Sequence, residues 1–426
     1  MIIYTVRPGD SIYRIAQRYG VPAAQIISDN ELAEPDRLVT GQTVVIMTDS
    51  TPHTVTRGQS LYSIARAYGV SPSALQAANP QITNPSRILP GQVINVPVAA
   101  PKLGTIAVNG YAFPNISMEV LQKTLPHLTY LSIFSYQVRP DGSLITINDT
   151  ALIEAARAAR VAPMMVITNI EEGASFSSEL AHTILSDPAV RSRVIENVVS
   201  TLGAKNYAGL DIDFEYVYPE DRENYNTFLR EVSARLRPLG YTLTTALAPK
   251  TSASQQGLLY EAHDYPAHGA IVDHVILMTY EWGYTYGPPM AVAPIGPVRQ
   301  VLNYAVTAIP PEKILMGMPN YGYNWTLPFT QGSAARSISN TAAIDLARDV
   351  GASISFSDSS QAPYFNYYDG NGRRHVVWFD DARSVNARLR LVDQYGLGGV
   401  SYWTINRYFP QNWLVLQSLY DVQKVL

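Results

Sequence analysis

The fold of this chain is decided by the stretch Gly209-Leu210-Asp211-Ile212-Asp213-Phe214-Glu215-Tyr216. Successive side chains of a β-strand point to opposite faces, so Asp211, Asp213 and Glu215 share one face and the apolar residues share the other. Carboxyl groups held close together resist simultaneous ionisation, which predicts a raised pKa for at least one of them. The outermost, Glu215, is then suited to donate a proton near neutral pH. On spacing alone, the same alternation also fits a half-exposed antiparallel strand.

The rest of the chain favours a barrel around this strand. From about Gly104 onward, apolar β-rich runs alternate with helical stretches such as Asp149–Ala159 and Asp221–Leu239. The candidate strands are Thr105–Tyr111, Thr129–Tyr136, Pro163–Thr168, Ala208–Glu215, Thr242–Leu247, His274–Trp282, Ile314–Pro319 and Gly399–Trp403. Eight β-α units predict an α/β fold of the (β/α)8 TIM-barrel type, with its chemistry at the C-terminal ends of the strands. A doubly wound sheet competes, but no Gly-rich phosphate turn follows the first strand.

One segment is too long to be a single loop and helix. It runs from Asn320 to Leu397, between the last two predicted strands. Within it, two β-rich runs flank the turn Asp369-Gly370-Asn371-Gly372, which predicts a hairpin. We therefore expect a small α+β insertion at about 325–385, beside the mouth of the barrel.

Two N-terminal segments, 3–47 and 53–97, repeat each other. Each predicts a β-α-α-β unit in which Ser11 or Ser60 caps the first helix and Gly20 or Gly69 ends it. Short connectors, Thr48–Pro52 and Pro97–Pro101, separate the repeats from each other and from the barrel. The expected domains are therefore residues 1–48, 52–98 and 103–426.

The repeats resemble the LysM module, a binder of glycans that contain N-acetylglucosamine. The resemblance rests on the pattern Y-T-V-x-x-G-D-S-I-Y-x-I-A…Y-G-V…N…G-Q-x-V, which the second copy follows with Gln59 in place of Asp10. It implies that a sugar lies between the loop after the first strand and the loop before the last. The residues it implies for glycan binding are Gly9, Asp10, Ser11 and Asn30 in the first copy, and Gly58, Gln59, Ser60 and Asn79 in the second.

The acidic stretch resembles the D-x-x-D-x-D-x-E signature of the chitinase-type (family 18) glycoside hydrolases. The likeness extends from Gly104 to the C-terminus. Met278-x-Tyr280-Glu281-Trp282 is similar to the family's M-x-Y-D/E motif, and Trp403 falls at its eighth-strand tryptophan. Two positions depart from the pattern: Ala208 replaces the first Asp of the signature, and Glu281 stands in place of Asp. The missing acid is the deepest one, so we expect its loss to tune the electrostatics of the site.

This resemblance implies a retaining mechanism in which the substrate's own acetamido group is the nucleophile. It makes Glu215 the acid and later the base, and gives Asp213, with Asp211 behind it, the task of orienting the acetamido N–H. Tyr280 would bind the acetamido carbonyl, and Trp403 would form the floor of the sugar pocket. Further residues expected at the mouth are Tyr111, Asn169, Met278, Glu281, Tyr321 and Tyr402.

Composition argues against several other classes. The formal net charge is −4 and there is no basic run, so no nucleic-acid partner is expected. No apolar run approaches the length needed to span a bilayer, and the N-terminus lacks the pattern of a signal peptide. The absence of cysteine, of an H-E-x-x-H motif and of a Gly-rich phosphate loop leaves no metal or cofactor to expect.

The two repeats and the barrel together resemble the spore cortex-lytic N-acetylglucosaminidases of endospore-forming bacteria. This implies cleavage of β-linked N-acetylglucosamine in peptidoglycan, with spore cortex or its fragments as substrate during germination. The implied location is the spore coat or cortex, and otherwise the cell wall. A chitinase or endo-β-N-acetylglucosaminidase would share the chemistry. The other alternative is a non-catalytic coat lectin, against which the presence of Asp213, Glu215 and Tyr280 argues.

Overall fold

The computed structural model describes residues 1–98 and 101–426, so Ala99 and Ala100 of the second connector lie outside the described residues. In these residues the strands are β1 Ile2–Thr5, β2 Thr43–Ile46, β3 Ser50–Thr54, β4 Val93–Pro97, β5 Gly104–Ala112, β6 Tyr130–Val138, β7 Leu144–Ile145, β8 Ala162–Thr168, β9 Gly209–Asp213, β10 Thr242–Leu247, β11 His274–Leu277, β12 Ile314–Pro319, β13 Gly322–Leu327, β14 Arg336–Ile338, β15 Ser355–Ser357, β16 Ala362–Tyr368, β17 Arg374–Trp378, β18 Gly399–Trp403 and β19 Tyr420–Val422. The helices are α1 Ile12–Tyr19, α2 Ala23–Asp29, α3 Leu61–Tyr68, α4 Pro72–Ala77, α5 Met118–Thr124, α6 Thr150–Ala158, α7 Ser178–Ser186, α8 Pro188–Lys205, α9 Arg222–Leu236, α10 Tyr265–Ile271, α11 Ile295–Ala308, α12 Asn340–Asp349, α13 Ala382–Tyr395 and α14 Pro410–Leu419.

Each N-terminal repeat folds as a β-α-α-β unit. In the first repeat, called module 1 (residues 1–48), β1 pairs antiparallel with β2. In the second, called module 2 (residues 52–98), β3 pairs antiparallel with β4. Ser11 and Ser60 accept hydrogen bonds from the first turns of α1 and α3, which caps these helices. Gly20 and Gly69 end them in the left-handed region, at φ values of 67° and 66° that favour glycine.

Eight parallel strands close into the predicted barrel. Their order around it is β5, β6, β8, β9, β10, β11, β12 and β18, and pairing of β18 with β5 completes the ring. The helices form an outer layer, and the main core lies between them and the strands. Inside the ring a second cluster fills the axis with Ala107, Tyr130, Met164, Ala246 and Leu315. This packed axis confines a ligand site to the C-terminal ends of the strands.

The insertion between β12 and β18 is a five-stranded sheet with one helix, α12. The strand order is β14, β13, β17, β16, β15, and every pairing is antiparallel. The predicted hairpin is the β16–β17 pair, in which Tyr368 lies opposite Arg374. The sheet begins only three residues after β12 ends at Pro319, and this short connection places it beside the barrel mouth.

Candidate active site

The acidic strand β9 lies between β8 and β10 and ends at Asp213, two residues earlier than predicted. Leu210 and Ile212 belong to the outer core, so the alternation turns Asp211 and Asp213 toward the barrel axis. Glu215 lies in the loop that follows. The strand prediction was too long here because side chains, not a neighbouring strand, bind the backbone after Asp213.

Two buried side chains hold that loop. Asn169 accepts a hydrogen bond from the Glu215 N–H (2.9 Å) and donates one to the Glu215 carbonyl (2.8 Å). His263 Nε2 lies 2.9 Å from the Phe214 carbonyl, while its Nδ1 accepts from Ala248 N–H at 2.9 Å. Since Nδ1 is an acceptor, Nε2 carries the proton and donates it. Asn169 was expected to line the mouth, but it is inaccessible to solvent and positions the Glu215 backbone. His263 was not predicted from the sequence.

Asp211 is the deepest acid and is fully satisfied. It accepts hydrogen bonds from the Tyr111 hydroxyl (2.5 Å) and the Thr244 hydroxyl (2.6 Å), and its side chain is inaccessible to solvent. Burial raises the pKa of Asp211 to about 6, while the two hydrogen bonds act in the opposite direction. Asp211 therefore supports the site from within and does not reach into it.

Asp213 is buried but lacks a full set of partners. It is 4% exposed, and its Oδ1 has no hydrogen-bond partner among the described residues. Burial, followed by the negative charges of Glu215 and Asp211, raises the pKa of Asp213 well above its usual range. A buried acceptor without a donor is costly, so this oxygen is placed to receive one from a ligand.

Glu215 has the protonation behaviour of a general acid. Burial, and after it the charge of Glu281, raises the pKa of Glu215 to about 7. A carboxyl group with this pKa keeps much of its proton at neutral pH and can release it to a substrate.

Tyr280 and Glu281 lie in the loop after β11, which ends at Leu277 and not at Trp282 as predicted. Within this loop Glu281 takes a left-handed backbone conformation, φ 66°. The hydroxyls of Tyr321 and Tyr323 both donate to its carboxylate, the second at 3.1 Å. Burial raises the pKa of Glu281, and these hydrogen bonds act against the rise.

The floor of the site is an aromatic cluster around Trp403. Its ring lies 4.9 Å from Phe134, 5.3 Å from Tyr111 and 5.7 Å from Phe113, all in edge-on arrangements that fix the indole. Tyr402 was expected at the mouth, but this prediction was wrong. It is 1% exposed and belongs to the outer core, because neighbours on a strand point to opposite faces.

These groups surround a cavity of about 650 Å³. The predicted residues that line it are Tyr111, Asp213, Glu215, Met278, Tyr280, Glu281 and Trp403. The lining residues that sequence analysis missed are Phe134, Ile170, Phe176, Tyr216, Ala246, Pro249, Leu259, Tyr260, Trp282 and Tyr284. Of the missed residues, Ile170, Tyr216, Ala246 and Pro249 lie within three residues of the end of a barrel strand, and this position was the available signal for them. Tyr321 lies outside this cavity and contacts it through Glu281.

In the modules, most of the residues expected to bind glycan have structural tasks. Asp10 accepts from the Tyr4 hydroxyl at 2.6 Å, and its counterpart Gln59 lies 2.9 Å from His53 Nε2. Asn30 and Asn79 are buried, and their side-chain amides form hydrogen bonds with backbone groups of their own module. The prediction that these two asparagines contact glycan is therefore wrong. Gly9 and Gly58 form the tight turns, at φ 82° and 87°.

Residues 1–98 and 101–426 contain neither a cluster of candidate metal ligands nor a membrane-spanning helix. No group of three or more acidic or histidine side chains is arranged to hold a metal ion. No helix in the same part of the chain is long and apolar enough to cross a membrane.

A (β/α)8 barrel with a buried, proton-retaining carboxyl group above an aromatic floor is the arrangement of a glycoside hydrolase. Comparison with known proteins gives the family. The model of glycosyl hydrolases family 18 matches residues 112–407, and the LysM domain model matches residues 4–46 and 53–97. The chain belongs to glycosyl hydrolases family 18, with two LysM domains ahead of the catalytic barrel.

Similar proteins cover the whole chain. A cortical fragment-lytic enzyme of Bacillus subtilis (strain 168) is 45% identical over 431 residues, which are 100% of this chain and 99% of that protein. A cortical fragment-lytic enzyme of Bacillus anthracis is 43% identical over 99% of both chains. The crystal structure of the Bacillus megaterium QM B1551 spore cortex-lytic enzyme SleL is 40% identical, with a TM-score of 0.92, and covers 100% of this chain and 99% of that one.

Proposed function

We propose that this glycoside hydrolase cleaves β-linked N-acetylglucosamine in spore cortex peptidoglycan or its fragments, with retention of anomeric configuration. The observation that carries this proposal is the pairing of Glu215, which keeps its proton near neutral pH, with the unsatisfied oxygen of Asp213. The substrate is supported by relatives of the same length and domain content that are named for cortex lysis. The LysM domains support a location in the spore or at the cell wall.

In the first step, the sugar to be cleaved stacks on Trp403. Glu215 transfers its carboxyl proton to the glycosidic oxygen as the bond from that oxygen to C1 breaks. The carbonyl oxygen of the sugar's acetamido group attacks C1 and forms a cyclic oxazolinium ion. Asp213 accepts a hydrogen bond from the acetamido N–H, which orients this group and stabilises the positive charge that develops on it. Tyr280 orients the acetamido carbonyl with its hydroxyl.

In the second step, Glu215 acts as the base. A water molecule gives a proton to the Glu215 carboxylate and adds its oxygen to C1 from the side that the leaving group vacated. The bond between C1 and the acetamido oxygen breaks, which restores the amide. Two displacements at one carbon return the original configuration.

The two LysM domains bind the peptidoglycan polymer. Each presents its Gly-turn loop, at Gly9 to Ser11 and at Gly58 to Ser60, beside a tyrosine on the first helix. These tyrosines, Tyr13 and Tyr62, occupy equivalent positions and are each 67% exposed. A flat ring with a polar tip suits the face of a sugar, and two such sites on one chain raise avidity for a repeating glycan.

Cleavage by the Glu215→Gln variant tests the proposal. Wild type and variant are incubated with cortex fragments and with chitin oligomers, and new reducing ends are identified by mass spectrometry. The variant should lose about 10²- to 10⁴-fold in kcat because it cannot donate a proton. Glu154→Gln, on the exposed side of α6, is the matched control. Undiminished cleavage by Glu215→Gln, or cleavage of chitin alone by wild type, would contradict the proposal.

The pH profile tests the same residue without removing it. Because the acid must be protonated, kcat/KM should fall as pH rises through about 7, the pKa of Glu215 in the free enzyme. The charge of Glu281 contributes to raising that pKa, so Glu281→Gln should move the fall to lower pH. A fall that stays in place in this variant would show that a different group governs the basic side of the profile.

A further inference from the structure

A second cavity, of about 260 Å³, lies next to the first. Its lining residues are Phe113, Glu281, Tyr321, Tyr323, Ser337, Trp403, Thr404 and Arg407. It shares Glu281 and Trp403 with the larger cavity, but Glu215 lines only the larger one. The two cavities are therefore the two sides of one cleft, divided at the floor tryptophan.

The position of Glu215 gives this cleft a direction. In the proposed function, Glu215 protonates the oxygen on C1 of the sugar that stacks on Trp403. The part of the glycan beyond that oxygen, toward the reducing end, occupies the side of the cleft that contains Glu215. The smaller cavity, on the other side of Trp403, consequently takes the neighbouring unit toward the non-reducing end.

Arg407 is fixed in this smaller cavity. Its Nη1 donates to the Ser337 hydroxyl at 2.6 Å, and its guanidinium lies 5.8 Å from the centre of the Tyr321 ring. The Asn320 side chain donates to the Arg407 carbonyl and to the Thr404 carbonyl, which anchors the loop after β18. The guanidinium is thus held by Ser337 of the inserted sheet, and the backbone of Arg407 is held by Asn320.

The Arg407 guanidinium lacks an ion-pair partner in the described part of the chain. Among residues 1–98 and 101–426, no carboxylate forms an ion pair with it. The nearby carboxylate of Glu281 is occupied by the hydroxyls of Tyr321 and Tyr323. A guanidinium has five N–H donors in a planar fork that matches a carboxylate, and Ser337 takes only one of them.

We infer that Arg407 binds a carboxylate carried by the sugar unit on the non-reducing side of the cleaved residue. In a peptidoglycan that alternates N-acetylglucosamine with muramic acid, that unit is a muramic residue. Its carboxylate is either the lactyl group itself or the end of a short peptide on that group. The inference rests on the proposed function and adds a specificity-determining residue to it.

The test uses four oligosaccharides that differ only in that unit. In the first, its lactyl group is free; in the second, the lactyl group carries one alanine; in the third, it is closed to the neutral lactam. The fourth carries N-acetylglucosamine at that position and therefore has no lactyl group there. For each substrate, kcat and KM are measured for wild type, Arg407→Gln and Arg407→Lys. Arg374→Gln, which removes the same charge from an exposed site on β17, is the matched control.

Wild type should prefer at least one carboxylate substrate over the lactam. In Arg407→Gln the ratio of the two kcat/KM values should fall about 10- to 100-fold, mainly through KM, as expected for loss of a charged hydrogen bond. Arg407→Lys should restore part of the ratio, and Arg374→Gln should not change it. The form whose preference is lost, lactyl or lactyl-alanine, identifies the source of the carboxylate.

Two kinds of failure are distinguishable. If wild type cleaves none of the four substrates, the proposed function fails. If it cleaves them and the ratio is the same in Arg407→Gln, or if neutral and charged substrates lose equally, the inference alone is overturned. Should Arg407→Gln not fold, Ser337→Ala gives the same answer. It frees the guanidinium and should lower the ratio by a smaller factor, and an unchanged ratio would again overturn the inference.

Discussion

The two LysM domains have the same fold, yet they relate differently to the barrel. In module 1 every residue of the last strand, Thr43–Ile46, is buried. In the corresponding strand of module 2, Val93–Pro97, buried and exposed residues alternate, and Val93 is 56% exposed. The difference arises because the outward face of β2 packs against the barrel. Val39 and Val45 of module 1 belong to the main core of the barrel, whereas module 2 has only its own core.

Polar contacts reinforce the docking of module 1. Thr43 Oγ1 donates to Gln411 Oε1 at 2.6 Å, and Gln411 Nε2 donates back to the Thr43 carbonyl at 2.7 Å. Ile354 N–H donates to the Thr40 carbonyl at 2.8 Å, which joins module 1 to the insertion between β12 and β18. Module 1 is therefore part of the folding unit of the enzyme, and module 2 is the one that behaves as an appended binding domain.

This difference changes how a truncation should be interpreted. Removal of both modules deletes the glycan-binding sites, but it also exposes the surface around Ile354 and Gln411 against which module 1 packs. Loss of activity on small soluble substrates would then reflect damage to the barrel and not a role of the modules in catalysis. Point substitutions at equivalent positions of the two modules separate these effects.

The largest difference should come from Gly41→Ala and Gly91→Ala. Both glycines have the same left-handed backbone, φ 88° and 87°, so both variants carry the same backbone strain of about 1–2 kcal/mol. A Cβ at Gly41 would lie 1.9 Å from the Ile354 carbonyl oxygen, whereas one at Gly91 would meet nothing within 4 Å. Overpacking adds about 1–3 kcal/mol at Gly41 alone. Urea denaturation should show this extra loss, and equal losses would mean that module 1 is not docked in solution.

A smaller contrast is expected from Asn30→Ala and Asn79→Ala. Each asparagine is buried and satisfies three backbone groups of its own module, so each variant should lose about 2–3 kcal/mol locally. Hydrogen exchange locates the effect. Asn79→Ala should speed exchange in residues 52–98 only, while Asn30→Ala should also speed it where the barrel faces module 1. Exchange confined to residues 1–48 in Asn30→Ala would contradict the single folding unit.

Much of the fold follows from patterns that are local in the sequence. Apolar runs, Ser caps and Gly stops predict the barrel strands and both modules, because each depends on residues a few positions apart. The ends of strands β9 and β11 do not follow from such patterns. Strand β9 stops at Asp213 because Asn169 and His263, 46 and 49 positions away from the backbone groups they bind, take hydrogen bonds that a longer strand would need.

The candidate site divides in the same way. Asp213, Glu215 and Trp403 could be selected from motifs and alternation, and alternation next to Trp403 should also have excluded Tyr402 from the mouth. The docking of module 1 left a weaker signal: Val45 is apolar where Asn95 stands in the second copy. One apolar residue on an outward face is common on protein surfaces, so its partner could not be predicted without the barrel.

The smallest contrast is between Thr43→Val and Val93→Thr, which exchange the residue types of the two modules at one equivalent position. Thr43→Val keeps the shape of the side chain but leaves Gln411 Oε1 without its donor in a buried interface, which should cost about 1 kcal/mol. Val93→Thr changes an exposed residue and should stay within about 0.5 kcal/mol of wild type. The two free energies of unfolding come from the same urea titrations as those of the glycine variants. A Thr43→Val variant as stable as wild type would mean that apolar packing at Val39 and Val45, and not the Thr43–Gln411 pair, holds module 1 on the barrel.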